Sequence, residues 1–450
     1  MAANPDVFVT QGAQYAKDVY ADNAFRLYPN CDILMKLVPF SSKFKLGKKF
    51  IIPIELAPES GVTRLSPNAG KVALVGAQGL TTLDASLEPY QLIFEREMDY
   101  EGLARAAEAG KAAFVSFADA TFKSIIQQAT KSAELDMLHG QSLTGLGVVS
   151  AVGAVSGPAG AGQCALTIAD AEWAAGIWSG AEGMLLSISA AALTPLRNIT
   201  GAYPNTWLKV VSVNRTLKTV TVIDSNATGA ITGTGGVGST IIVATDVLFP
   251  YGARNEAATT FGTANGNWGV TPGLDAITSN LGTLYGINAA TAGMWAGNLN
   301  TTYGTPSIGK ILDAASIVNS TGQDKDLLFV CSPKHFARLN SDQTALRVYQ
   351  GAGSTWQQGA NKLVLSTDGD VTVTIRSHRF CKDGYAYLFS PEDFMRVGSS
   401  ELRFNNLGTS GDVYLQTTGF NTVQLRAYLA QTLFCRAISR TVRLTGIIYT

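Results

Sequence analysis

Apolar residues recur every three or four positions in one long stretch of this chain and every second position in several shorter ones. From Lys111 to Leu138, Phe114, Ala118, Phe122, Ile125, Ala129, Ala133 and Met137 fall on one stripe of a helix. Lys123, Gln127, Lys131 and Glu134 fill the other face, and Gly140 is the stop signal. Such a helix is roughly 40 Å long and suits a spine laid across a sheet. Before it, Phe50-Ile51-Ile52-Pro53-Ile54 reads as a strand, and a second extended segment runs from Leu80 to Arg96. Between them lies a tip rich in Pro, Gly and Ala, so the pattern is a long hairpin with no third strand nearby. Pro53 suits a sheet edge, and an isolated two-stranded hairpin is marginal in water. Two readings follow: the hairpin lies on its own domain, or it reaches onto a neighbouring subunit.

Residues 1–40 read as an arm, with a helical stretch from Gln11 to Leu27 and an apolar run at Ile33-Leu34-Met35. After the long helix, Ala151–Gln163 is a small-residue linker. Short strands follow at Leu186–Ser189, Leu208–Val213, Leu217–Ile223, Ile241–Val243 and Val247–Phe249, which predict a small barrel or sandwich inserted into the parent domain. Short helices are expected near Leu274–Tyr285 and Ile308–Val318, a buried strand at Leu327–Cys331, and another helix from Pro333. Strands at Val371–Ile375, Tyr385–Phe389, Val413–Gln416, Val423–Phe434 and Arg443–Ile448 close the chain.

Composition narrows the function classes. Of 450 residues, 46% are hydrophobic and only 15% charged, with 34 Lys+Arg against 34 Asp+Glu. That balance excludes a disordered chain and a strongly basic nucleic-acid binder. A low-charge surface suits a subunit that others cover. Five scattered cysteines without a CxxC argue against a disulfide framework or zinc site, and fit reduced, cytoplasmic synthesis. The first residues, MAANPDVFVT, show no signal-peptide pattern, and no apolar run reaches the ~20 residues of a membrane span.

Motif by motif, chemistry is absent. Gly233-Thr-Gly235-Gly-Val-Gly238 satisfies GxGxxG, but a strand-like run follows where a pyrophosphate needs a helix N-terminus. Gly304 to Lys310 resembles a phosphate loop, yet Ile311 stands where Ser or Thr would hold Mg²⁺. Cys331 and His335 are four apart, but a nucleophile pair needs an exposed thiolate and an orienting group. No catalytic, cofactor-binding or metal-ligating set is assigned, and the chain is not expected to be an enzyme. Lys43, Lys45, Lys48 and Lys49 read either as a solvated face or as cations that meet a neighbour's carboxylates. Arg426, Arg436, Arg440 and Arg443 admit the same two readings.

The order of elements, together with Lys131-Ser-Ala-Glu-Leu-Asp-Met-Leu-His-Gly140, Asp326–Pro333 with Lys334–Leu339, Gly384–Pro391, and Val423–Leu429 through Arg440–Gly446, resembles the major capsid proteins of tailed bacteriophages. Thr441 stands where many members carry a proline. The resemblance implies an α+β fold in six parts: an N-terminal arm at 1–40, an extended loop at 41–97, and a peripheral domain with its spine helix at 98–150. A β-barrel-like insertion at 151–252, an axial domain at 253–400 and closing strands at 401–450 complete it. It also implies hexamers and pentamers that tile an icosahedral virion shell around packaged double-stranded DNA, assembled in the host cytoplasm. A separate scaffolding protein and a portal would be partners, with a decoration protein possible; no membrane and no cofactor are expected. Residues expected at subunit contacts are Lys43, Lys45, Lys48, Lys49, Phe50, Ile52, Ile54, Arg64, Leu83, Leu87 and Arg96. The rival readings are a cellular nanocompartment shell of the same fold, an exported surface or adhesin protein, and a hydrolase with an inserted lid.

Overall fold

The computed structural model describes residues 32–41, 49–59, 61–67, 70–76, 79–99, 115–154, 163–189, 208–224, 242–253, 268–341, 363–366, 371–404, 414–416 and 422–449. The expected helix at Gln11–Leu27, the lysines Lys43, Lys45 and Lys48, and the glycine run 233–238 lie outside these residues. Contacts divide the chain into two compact units. One comprises residues 1–28, 93–129 and 404–427; the other comprises 29–92, 130–403 and 428–450.

In the smaller unit, strand Tyr414–Gln416 pairs antiparallel with the first residues of strand Thr422–Cys435, with Tyr414 opposite Leu425. Strand Tyr90–Asp99 pairs with that same long strand. Gln424 donates to Glu97 at 2.6 Å, and Arg426 lies 3.6 Å from Glu95. The extended segment predicted from Leu80 to Arg96 is therefore two strands, Thr81–Leu87 and Tyr90–Asp99, separated at Glu88-Pro89. Pro89 lacks the N–H a continuous ladder would use, and Arg96 belongs to the second strand.

The larger unit contains a six-stranded sheet in the order Asn298–Asn300, Val442–Leu444, Ala386–Phe389, Leu327–Cys331, Thr372–Ser377, Leu363–Ser366. Every residue of Leu327–Cys331 is buried, which explains its unbroken apolar run. Helix Ile308–Ser320 lays Ile308, Ile311, Ala314, Ala315 and Val318 on this sheet, in one core with Phe329 and Ile375. The last strand stops at Leu444, short of the expected Ile448. Gly446 turns the chain there with φ 74°, where a side chain would meet the Thr301 carbonyl. The helix expected over Leu274–Tyr285 also ends early, at Thr278. Tyr285 and Gly286 both take positive φ and form the turn between the paired strands Thr283–Leu284 and Ile287–Asn288.

The inserted β-segment closes into a six-stranded antiparallel barrel in the order Val247–Pro250, Gly147–Val152, Gln163–Ile168, Thr219–Asp224, Leu208–Asn214, Leu185–Ser189, then back to Val247–Pro250. Alternation puts Cys164, Leu166, Ile168, Val210, Val220 and Val222 in the core. Closure leaves no unpaired edge. The barrel begins at Gly147 rather than 151 and belongs to the larger compact unit. Ile242 and Val243 are not in a strand; the Asp246 carboxylate accepts the Val243 N–H at 2.9 Å and holds a turn.

The long helix runs Val115–His139. Ile125, Ala129, Ala133 and Met137 are buried as the stripe requires. Its polar face is not solvated toward the C-terminus, because Lys131, Glu134, Leu135, Asp136, Leu138 and His139 are buried too. Leu135, Met137 and Leu138 place apolar groups around the helix, the pattern of an element enclosed on all sides.

A candidate assembly surface

Strand Phe50–Ala57 pairs antiparallel with Thr81–Leu87, Phe50 opposite Leu87 and Ile54 opposite Leu83, in a sheet that among the described residues holds these two strands alone. Its base is embedded. Phe50, Ala85 and Leu87 join the main core, and the Ser86 N–H donates to the Tyr285 carbonyl at 2.8 Å. Phe50 and Leu87 are thus internal to the subunit and are removed from the expected contact residues. Ile52, Ile54 and Leu56 alternate with exposed Ile51, Pro53 and Glu55, and are half-buried against the same core. Lys49 pairs with Glu88 of its own hairpin at 2.9 Å, both side chains about half exposed.

Outward from this base, apolar side chains stand in solvent. Val62 and Leu74 are each 77% exposed, and Leu65, Val72, Val75, Leu80 and Leu83 are exposed as well. Arg64 is exposed among them. The Val75 N–H donates to Thr63 Oγ1 at 2.9 Å, so the two sides of the loop touch. Among the described residues, a methyl group built on Gly70, Gly76 or Gly79 would meet nothing within 4 Å, so their packing does not account for the small residues there. A cluster of large apolar residues on a surface marks a contact that covers them.

The remaining candidate chemistry is absorbed by the fold. Lys310 donates to the carbonyls of Tyr303 and Thr305, the latter at 2.9 Å, which engages the cation a phosphate loop would need free. Cys331 is fully buried and its thiol is pushed far up by burial; His335 is lowered to about 4 for the same reason, between the rings of Tyr303 and Phe329. Arg443 is neither solvated nor interfacial, because its Nε lies 2.9 Å from Asp275 and both are buried. Among the described residues no group of three His, Cys, Asp or Glu is placed to hold a metal ion, and no helix is long and apolar enough to cross a membrane.

The sequence pattern did not reveal a set of buried polar joints. Glu134 accepts the N–H groups of Leu34 and Met35 at 2.7 and 3.0 Å and that of His378 Nε2 at 2.9 Å. Asp275 accepts from Ser142 and from Tyr387 at 2.9 Å, and it forms an ion pair with Arg443. Nearby Arg443 and Lys382 keep the Asp275 carboxyl below its ordinary value despite the opposing cost of burial. The available signal was the apolar crowding around residues 135–138, which left no solvent-facing side for Glu134.

The sequence matches no family model and no curated relative. Solved capsid structures match nearly its whole length. The capsid asymmetric unit of Cyanophage A-1(L) aligns over 96% of this chain and 98% of that one, with TM-score 0.50 and 10% identity. The capsid of the native GTA particle aligns over 99% and 100%, with TM-score 0.45 and 8% identity. That of Cyanophage P-SCSP1u aligns over 96% and 93%, with TM-score 0.44 and 9% identity. On the first of these, the chain has the α+β fold of a phage capsid subunit.

Proposed function

We propose that this chain is a major capsid protein, which assembles through copies of itself into the hexamers and pentamers of an icosahedral virion shell around double-stranded DNA. The observation that supports this most strongly is the exposed apolar loop of residues 61–83 on a subunit of capsid fold. An apolar surface of that kind is costly on a free monomer and becomes favourable when a sister copy covers it. Burial of a Val or Leu side chain contributes about 1.5–3 kcal/mol, so Val62, Leu65, Leu74 and Val75 together offer enough to fix the loop on a neighbour. Arg64 and Leu83 belong to the same contact, with Ile52 and Ile54 bracing it from the subunit's own side. Folding and assembly are then linked by mass action.

The test is to express the full chain and a Val62→Asp/Leu74→Asp variant, and to compare them by sedimentation and electron microscopy. Shells or capsomers are expected from the parent chain and folded, unassembled subunits from the variant. A parent chain that stays monomeric at high concentration, alone and with a candidate scaffolding protein, would sink the proposal.

A further inference from the structure

Residues 32–41 cross the larger unit as a short helix, Ile33–Leu37, followed by the two-residue strand Phe40–Ser41, which lies parallel to Arg396 and Val397. Polar contacts directed at its backbone fasten this segment at both ends. At its start, the buried Glu134 carboxylate takes the Leu34 and Met35 N–H groups, two of the donors that a helix start leaves unpaired. At its end, Arg396 Nε donates to the Val38 carbonyl at 3.0 Å, and the Arg396 backbone N–H donates to the Pro39 carbonyl at 2.9 Å. Apolar contacts add to this hold: Leu34 and Val38 are buried in the main core, and Ile33, Met35 and Leu37 pack against it half-buried. The segment's own ion pair, Lys36 with Asp32 at 2.8 Å, is internal to it and ties it to nothing.

Both clips keep partners that do not move with the segment. His378 Nδ1 accepts the Phe380 N–H at 3.1 Å, which leaves Nε2 as the donor to Glu134. Arg396 also donates to Glu401 at 2.9 Å and to Gln431 at 3.2 Å. Withdrawal of the segment would therefore leave neither charge stranded, which is the condition for an element to detach without unfolding what it rests on. We propose that residues 32–41 are a releasable strap, clipped at its two ends by Glu134 and Arg396, which can leave while the remainder of the unit stays folded.

Hydrogen exchange on the full chain, read peptide by peptide, tests this in Glu134→Gln, where the amide NH₂ replaces one acceptor oxygen. Exchange across residues 33–38 is expected to quicken by about 10-fold or more, while the barrel strands Gly147–Val152 and Gln163–Ile168 keep the parent rate. Arg396→Met, which retains most of the side-chain volume, is expected to give the same selective change and decides the matter if the first variant does not fold. Unchanged exchange in the strap, or an equal rise in strap and barrel, would overturn the proposal by making these residues ordinary members of one cooperative core.

Discussion

The Lys382 ammonium lies 2.6 Å from the Glu172 carboxylate, and both side chains are withdrawn from solvent. Tyr385 donates to the second carboxylate oxygen, and Thr144 accepts from Lys382 at 2.8 Å. The pair therefore joins the segment between two barrel strands to the turn that precedes strand Ala386–Phe389. Lys382→Met would leave Glu172 charged and without its cation. A loss of about 3–5 kcal/mol in unfolding free energy is expected from denaturant titration. The double variant Glu172→Gln/Lys382→Met is expected to recover part of it, because no charge is then left unpaired. Equal losses in single and double variants would show that packing, not charge pairing, makes this joint.

Gly176 is a second fastening at the same place. A Cβ there would lie 2.3 Å from the Arg379 carbonyl oxygen, a backbone atom that cannot swing aside. Gly176→Ala is expected to cost about 1–3 kcal/mol through forced separation of barrel and turn. Gly70→Ala, where a methyl group meets only open space, is expected to leave the unassembled subunit within about 0.5 kcal/mol of the parent. An effect of Gly70→Ala confined to assembly would place a neighbouring chain close to that backbone.

Legibility in the sequence followed periodicity and failed where partners came from afar. The Ile125–Met137 stripe, the buried run Leu327–Cys331 and the alternation of Leu208 and Val210 and of Val220 and Val222 each carry their environment in local spacing, so helix, central strand and two barrel strands are readable, whereas the strand Gln163–Ile168 is not among those read. Glu134 carries only the fainter local mark of its apolar neighbours Leu135, Met137 and Leu138. Its partners lie 100 residues upstream at Leu34 and 244 downstream at His378, and a polar residue opposite an apolar stripe reads as solvated. For the same reason Arg443 reads from sequence as solvated or interfacial, although Asp275 holds it inside. Along the hairpin, composition showed that the tip was apolar and glycine-rich, but not that Phe50 and Leu87 belong to the subunit's own core.

Asp136 and His139 line one small cavity with Gln141, Phe249 and Val270. Burial raises the Asp136 carboxyl to about 7, and burial together with nearby Lys382 lowers the His139 imidazole to about 3. Between about pH 4 and 7 the folded chain keeps a proton on Asp136 that the unfolded chain has released. That contribution to stability therefore falls as pH rises, by about 1.4 kcal/mol per pH unit. Between about pH 3 and 6.5 His139 acts oppositely, since the unfolded chain binds the proton and the folded chain does not. Asp136→Asn removes the falling contribution. Its stability relative to the parent is expected to increase with pH from about 4 to 7 and to level off above. A difference independent of pH, measured by denaturant titration across that range, would show that the carboxyl titrates normally.

Phe50 and Ile51 are adjacent in one strand and point to opposite destinies. Phe50 is 5% exposed opposite Leu87 in the core, whereas Ile51 is 61% exposed opposite Ser86. Phe50→Ala is expected to destabilise the unassembled subunit by about 3–5 kcal/mol, the usual cost of emptying a core aromatic site. Ile51→Ala removes a side chain that already faces water, so its effect on the same subunit should stay within about 0.5 kcal/mol. In an assembly assay the order reverses if the outer face of the hairpin meets another copy. Phe50→Ala subunits that are still folded should then assemble normally, and Ile51→Ala subunits should need a higher protein concentration. Light scattering against concentration, run beside denaturant titration on both variants, separates the two effects. An Ile51→Ala chain that assembles at the parent's concentration would confine the contact to the loop beyond Ala57.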